Sequence, residues 1–150
     1  MIILHISCDI TLDFIDKPEL IVSDIFIAPN EETEPLLYKA IWDTGSMQTS
    51  ISQKIVSRHR LFCIDKKLIK SFRGVSEQSI YDICIGFASS GRGYSHVKVT
   101  DGVPYDLGCD VIVGMDIISL GDFHLRKEND EYIFTFKLYD YEQATGVSAR

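Results

Sequence analysis

The sequence predicts an all-β domain in the form of a closed barrel, with one or two short helices. Short apolar runs rich in Ile, Val and Phe recur along the 150 residues. Polar turns separate these runs, which is typical of barrels and sandwiches built from many short strands. With 45% of its residues apolar, the chain is long enough for a sizeable core. We expect residues 1–150 to form a single domain.

Strands are expected, in order, at residues 2–6, 20–28, 36–42, 81–88 and 96–100. The run from Leu36 to Trp42 is apolar on both faces, which predicts a strand buried on both sides. Residues 122–127 and 131–138 are predicted to form a closing hairpin around a polar turn. Ser52 is the expected N-cap of a helix over residues 52–59, and a second short helix follows Gly114. The polar tail, residues 142–150, is expected to fray.

Charge and composition exclude several classes of partner. A net charge of −7 and a pI near 5.0 disfavour nonspecific binding to nucleic acid or to an anionic membrane. No apolar run approaches the length of a membrane span, and the N-terminus lacks the basic region of a signal peptide. We therefore expect a cytoplasmic protein. The four cysteines include no C-x-x-C pair, so we expect buried free thiols and neither a metal nor a cofactor, although a disulfide remains possible.

The segment Ile41-Trp42-Asp43-Thr44-Gly45-Ser46 delivers an aspartate from an apolar strand into a tight turn. Gly45 permits the turn and a close approach of backbone. Ser46 is small enough to hydrogen-bond the carboxylate, and the hydroxyl of Thr44 can bond to a neighbouring backbone. The same tripeptide also occurs as an ordinary turn that begins at an aspartate.

A second segment, Asp110-Val111-Ile112-Val113-Gly114, has the pattern of a buried strand that ends on glycine. Ile117 and Ile118 continue it as a short apolar helix. Asp110 and Asp116 flank this glycine, but neither is part of an Asp-Thr-Gly turn. We interpret them as a strand-start residue and a helix residue.

The two segments, in this order and about seventy residues apart, resemble the signature of the retropepsin-like (retroviral-type) aspartic proteases. The resemblance covers roughly residues 20–139, and the closing hairpin around Asn129 is similar to that of bacterial members. It implies that Asp43 is the catalytic carboxylate within the active-site loop Thr44, Gly45 and Ser46. It implies that Thr44 ties two such loops together and that Ile112, Val113 and Gly114 form the supporting strand.

The resemblance also implies a stoichiometry and a lid. The family's chemistry needs two carboxylates and this chain supplies one motif, so the partner would be a second copy, with a polypeptide as substrate. The flap that covers substrate would comprise Phe72, Arg73, Gly74, Val75, Ser76, Glu77, Gln78, Ser79 and Ile80. This flap departs from the family pattern because it has a single glycine and a polar pair near its expected tip. Residues 1–19 match nothing in the family.

Two other interpretations remain open at the level of sequence. The chain could be a non-catalytic peptide-binding or dimerisation module on the same fold, holding a peptide by strand addition. It could also be a structural β-barrel in which Asp43 is only a turn residue. Loss of proteolysis on mutation of Asp43 would favour the enzyme, and a monomer would favour the structural domain.

Overall fold

The computed structural model describes residues 9–71, 73–87 and 92–138. Within these ranges the regular secondary structure is mostly β-strand, with two short helices, which confirms the all-β prediction. The elements are β1 (Ile10–Phe14), β2 (Val22–Ala28), β3 (Leu36–Trp42), β4 (Ser50–Ile51), α1 (Gln53–Arg58), β5 (Asp65–Ser71), β6 (Gly74–Phe87), β7 (Arg92–Thr100), β8 (Val111–Val113), α2 (Met115–Ile118), β9 (Gly121–Glu128) and β10 (Glu131–Leu138).

The larger sheet is rolled up. Its strands pair in the order β2, β3, β8, β4, β7, β6 and β5, and β2 pairs again with β6, so that the sheet turns back on itself. The roll is thinnest at β4, which meets β7 through the single residue pair Ser50 and Thr100. The pairs β3–β8 and β4–β7 are parallel. The expected barrel is therefore present but not strictly closed, because the pairing of β4 with β7 is limited to one residue pair.

A smaller sheet, in the order β1, β10 and β9, packs through aromatic side chains against β3. The Trp42 ring lies 4.7 Å from the Phe136 ring and 5.4 Å from the Phe134 ring, measured between centroids. The indole N–H donates to Ser23 Oγ at 2.8 Å, so its one polar atom is paired inside the core. This packing fixes the end of β3, where the candidate site begins, against the smaller sheet.

Both predicted helices and the closing hairpin are confirmed. Ser52 caps α1, and its hydroxyl oxygen accepts from the Ile55 amide at 3.4 Å. Helix α2 begins directly after Gly114. The turn between β9 and β10 places Asn129 and Asp130 at φ +48° and +66°, the backbone form that two-residue hairpin turns favour.

Several expectations need correction. Strand β1 was not predicted, although Ile10, Leu12 and Phe14 alternate as a half-buried strand requires. β3 is buried on both faces only over its last three residues. In its first half one face is exposed, and Leu37 on that face is 52% exposed. Cys63 is an exposed free thiol rather than a buried one. The predicted strand at 2–6 and the tail at 142–150 lie outside the described residues. Among the helices described, none is long and apolar enough to span a membrane.

Candidate active site

Asp43 emerges from a strand that is held on both edges. β3 pairs with β2 on one side and with β8 on the other, where Trp42 is the partner of Val113. The Trp42 amide donates to Ile21 O at 2.9 Å, and the Asp43 amide donates to Val113 O at 2.9 Å. Trp42 is only 6% exposed, whereas the Asp43 side chain is exposed. The fold therefore presents this carboxylate to the outside from a fixed position.

The turn after Asp43 holds one oxygen of its carboxylate. The Gly45 amide donates to Asp43 Oδ1 at 2.8 Å, and the Ser46 amide donates to the Asp43 carbonyl at 3.2 Å. A Cβ atom at Gly45 would lie 3.1 Å from the same Oδ1, a tight contact that the carboxylate could relieve only by shifting a few tenths of an ångström. No other group in the described part of the chain hydrogen-bonds to this carboxylate, which leaves Oδ2 open.

The hydroxyl of Ser46 takes a different partner from the one expected. Ser46 Oγ donates to the Gln48 carbonyl at 2.9 Å and not to the catalytic candidate, so the expected bond to the carboxylate is wrong. The Ser46 side chain braces the loop instead. Thr44 is exposed at the surface. Its suggested bond to the loop of a second subunit remains a prediction.

The segment predicted to support the loop lies directly against it. Gly114 follows β8, and a Cβ atom there would lie 2.7 Å from the Gln48 carbonyl carbon and oxygen. Because those atoms are backbone, they cannot move aside cheaply, and only glycine fits. The Met115 amide donates to Ser46 O at 2.7 Å and the Asp116 amide donates to Met47 O at 3.2 Å. The first two amides of α2 thus donate hydrogen bonds to two carbonyls of the loop.

Asp116 was expected only as a helix residue, and its hydrogen bonds to the loop beside the site were not predicted from the sequence. Its Oδ2 accepts from the Thr49 amide at 2.9 Å, and its Oδ1 accepts from the Thr49 hydroxyl at 2.7 Å. The Thr49 hydroxyl oxygen in turn accepts from the Gly114 amide at 3.1 Å. These hydrogen bonds join Thr49, the last residue of the loop between β3 and β4, to the start of α2. Nothing in the local sequence announces them, because the two partners are 67 residues apart.

The predicted flap is part of a longer hairpin, which we call the flap hairpin and define as residues 65–80. β5 and β6 pair from Asp65 with Ile80 to Ser71 with Gly74, so the chain reverses between Ser71 and Gly74. Gly74 has φ of +112°, a conformation that other residues rarely adopt. The predicted range therefore covers the turn and the second arm, whereas the first arm was missed.

The expected polar tip of the flap is wrong. Glu77 and Gln78 lie within β6, opposite Leu68 and Lys67 of β5. The glycine with positive φ decides where the chain reverses, and the polar pair simply continues the strand. Of the predicted flap residues, Phe72 lies outside the described part of the chain, and the others lie in the turn or along the second arm.

Two other titratable groups of the described residues, a cysteine and a histidine, have pKa values shifted by their surroundings. Burial raises the pKa of the Cys109 thiol, which makes it a poor nucleophile. Burial, and then the neighbouring Arg58, lower the pKa of His59, whose Nε2 lies 2.9 Å from the Tyr38 hydroxyl. Over the ranges that the structure describes, His, Cys, Asp and Glu side chains do not gather in a group that could hold a metal ion.

Comparisons with known proteins found similarity at the level of structure. No family model matches the sequence, and no curated protein matches it. The EIAV protease complexed with the inhibitor HBY-793 is 19% identical over 67% of this chain and 86% of its own, with a TM-score of 0.47. A retropepsin-like aspartic protease from Rickettsia conorii is 16% identical over 82% and 98%, with a TM-score of 0.44. The simian foamy virus (mac) protease is 21% identical over 63% and 89%, with a TM-score of 0.41.

Proposed function

We propose that the chain is a retropepsin-like aspartic endopeptidase that hydrolyses polypeptides as a homodimer, with one Asp43 from each subunit. The observation that carries this proposal is the presentation of Asp43. Its carboxylate is exposed at the end of a rigid strand, one oxygen is held by the Gly45 amide, and the other is open. A turn used only for structure would not require α2 and β8 to fix the loop on its far side.

The chemistry follows from placing two such carboxyl groups side by side. Like charges that close do not both ionise easily, so the pair shares one proton. The ionised carboxylate takes a proton from a water molecule as that water attacks the scissile carbonyl carbon. The protonated partner donates a hydrogen bond to the carbonyl oxygen and later helps to protonate the leaving amine.

The surrounding residues would serve position rather than proton transfer. The Gly45 amide orients the carboxylate, and the bonds from Thr49 to Asp116 hold the loop behind it. The flap hairpin would close over an extended peptide, exclude water and supply backbone hydrogen bonds. The similarity of the closing hairpin, residues 121–138, to bacterial members is the basis for expecting a bacterial-type enzyme.

Asp43→Asn is the direct test. The change keeps the size of the side chain and removes the base, so we expect a folded protein whose cleavage of unstructured peptides falls below about 1% of the original rate. Asp106→Asn is the matched control, because Asp106 is an exposed carboxylate outside the site. Cleavage that survives in Asp43→Asn would assign the reaction to another group. If the unaltered protein binds peptides but never cleaves them, it is the non-catalytic module.

A further inference from the structure

The basic residues of this acidic chain are concentrated in one stretch. Seven of its fifteen Lys and Arg residues lie between Lys54 and Arg73, and Asp65 is the only acidic residue in that segment. The other twenty-one acidic residues are spread over the rest of the chain. The charge is therefore strongly asymmetric, and its positive part includes the first arm and the turn of the flap hairpin.

Three cations of the flap hairpin have no partner of opposite charge among the residues that the structure describes. Lys66 lies 3.5 Å from Glu77 across the two strands. Lys67, Lys70 and Arg73 are exposed, and no carboxylate in the described part of the chain lies within ion-pair distance of them. An exposed cation without a partner remains available to a ligand, because it loses no existing ion pair when the ligand binds.

The base of the hairpin is tied to the neighbourhood of the candidate dyad. The Ser79 amide donates to Asp101 Oδ1 at 3.0 Å, and the Thr100 amide, next to Asp101, donates to Thr49 O at 3.1 Å. Thr49 lies at the far end of the active-site loop. The base of the hairpin is therefore joined to the end of β7, which borders this loop, and the cations lie along the first arm of the hairpin and at its turn.

One face of the hairpin combines positive charge with exposed apolar surface. The register places Lys70 on the same face as Leu68, Val75 and the Lys66–Glu77 ion pair, whereas Lys67 lies on the opposite face. Leu68 is 68% exposed and Val75 is 60% exposed. A ligand that matches this face would carry acidic side chains beside apolar ones.

We propose that the flap hairpin selects acidic polypeptide segments, in which Asp or Glu side chains lie close to apolar residues. This inference rests on the proposed function for its site, because it names the substrate class that the same cleft would accept. The cations raise the local concentration of an acidic peptide, and attraction of this kind weakens with added salt. A polypeptide is favoured over nucleic acid because the remainder of the chain repels a continuous run of phosphates.

The experiment compares two peptides of the same apolar sequence, one with Glu and one with Gln at the polar positions. Binding of each to the Asp43→Asn protein is measured by fluorescence anisotropy at low and high salt, and cleavage of each by the unaltered protein is measured in parallel. The test variant changes Lys67, Lys70 and Arg73 to Gln. Its matched control changes Lys17, Arg126 and Lys127 to Gln, which removes the same residue types away from the hairpin.

We expect the Glu peptide to bind about tenfold more tightly than the Gln peptide at low salt, with the ratio falling as salt is added. The hairpin variant should bring the ratio close to one, and the control should preserve it. Equal binding of the two peptides, or an unchanged ratio in the hairpin variant, would overturn the proposal even if the protein cleaves both. Tighter binding of a DNA oligonucleotide of equal charge would also overturn it. Selective binding without cleavage would support it while refuting the peptidase.

Discussion

The carboxylate of Asp116 accepts several hydrogen bonds beside the loop that carries Asp43. It accepts from the Thr49 amide and hydroxyl, and it also accepts from the Ile117 amide at 2.9 Å. Bonds of this kind are worth more than neutral ones, since the acceptor is charged. The loop that carries Asp43 is thus held at its distant end by a residue that takes no part in the proposed reaction.

Replacing Asp116 should therefore mainly lower the stability of the fold, and it should affect activity only through the position of the loop. We expect Asp116→Ala to lower the free energy of unfolding by about 2–3 kcal/mol, because it leaves donors unpaired in a partly buried place. Urea denaturation measures this, with Asp106→Ala as the exposed control. Asp116→Asn keeps one acceptor oxygen and should recover part of the loss. Equal stability of Asp116→Ala and the control would mean that water satisfies these donors as well as the carboxylate does.

At the residue scale, sequence reasoning could propose Asp43 as the catalytic carboxylate, but it could not propose the contacts that support the loop. The contact between Asp43 and the Gly45 amide is local, within one turn of chain, so a local pattern can indicate it. The roles of Asp116 and Thr49 depend on a contact between distant segments, and no local pattern encodes it. Ser46 shows the same limit, since a small hydroxyl has several carbonyls in reach and only the folded loop decides which one it uses.

Among the elements, the flap hairpin is the one whose description changed most. Its second arm lay within the predicted flap, but its first arm, Asp-Lys-Lys-Leu-Ile-Lys-Ser, is too polar to be recognised as a strand. An exposed edge strand rich in lysine is a common means of preventing edge-to-edge pairing with other chains. β5 lies outside the rolled part of the sheet, where that protection is useful.

The hairpin should behave as a lid. It carries exposed residues on both arms, so we expect fast amide hydrogen exchange at residues 69–76 in the free protein. A peptide-like aspartic protease inhibitor should slow this exchange, because a bound peptide pairs with the hairpin backbone. Hydrogen exchange followed by mass spectrometry measures both states, with the closing hairpin, residues 121–138, as internal control. Slow exchange in the free protein that the inhibitor leaves unchanged would remove the flap assignment.

Helix α1 is joined to β3 by a contact that should make stability depend on pH. The Tyr38 hydroxyl lies 2.9 Å from His59 Nε2, and burial and Arg58 lower the pKa of His59 in the folded state. The unfolded chain therefore takes up a proton, near its ordinary pKa of about 6.5, before the folded chain does. Stability contributed by the neutral ring is present above about pH 6.5 and is lost as the pH falls below it.

Thermal unfolding between pH 7.5 and 5 tests this dependence. His59→Gln should show a smaller loss of melting temperature on acidification than the unaltered protein, because its side chain does not titrate. His124→Gln, at an exposed position of β9, is the matched control and should keep the full loss. If His59→Gln and the control respond to pH in the same way, the dependence arises from carboxylates elsewhere.

At the scale of the whole molecule, the strand class, the two helices and the closing hairpin followed from the sequence because each is set by local periodicity or capping. The rolled sheet was expected from the many short strands, but the pairing of β2 with β6 was not, because these strands are distant along the chain. The same is true of the aromatic contact between Trp42 and Phe136, which joins the two sheets. Long-range pairing therefore accounts for what local patterns could not supply.

A single Asp43 per chain makes the proposed activity a property of two molecules. A two-fold interface brings equivalent residues together, so a symmetric dimer of the 17.0 kDa chain would place both carboxylates at its axis. We expect sedimentation to show this dimer at micromolar concentration. Mixing gives a stricter test, in which equal amounts of unaltered and Asp43→Asn protein are unfolded and refolded together. Random pairing leaves about a quarter of the dimers with two aspartates. Activity should therefore be about a quarter of that of the same total amount of unaltered protein. A fall to one half would mean that each chain acts alone, and the dyad across a dimer would then be wrong.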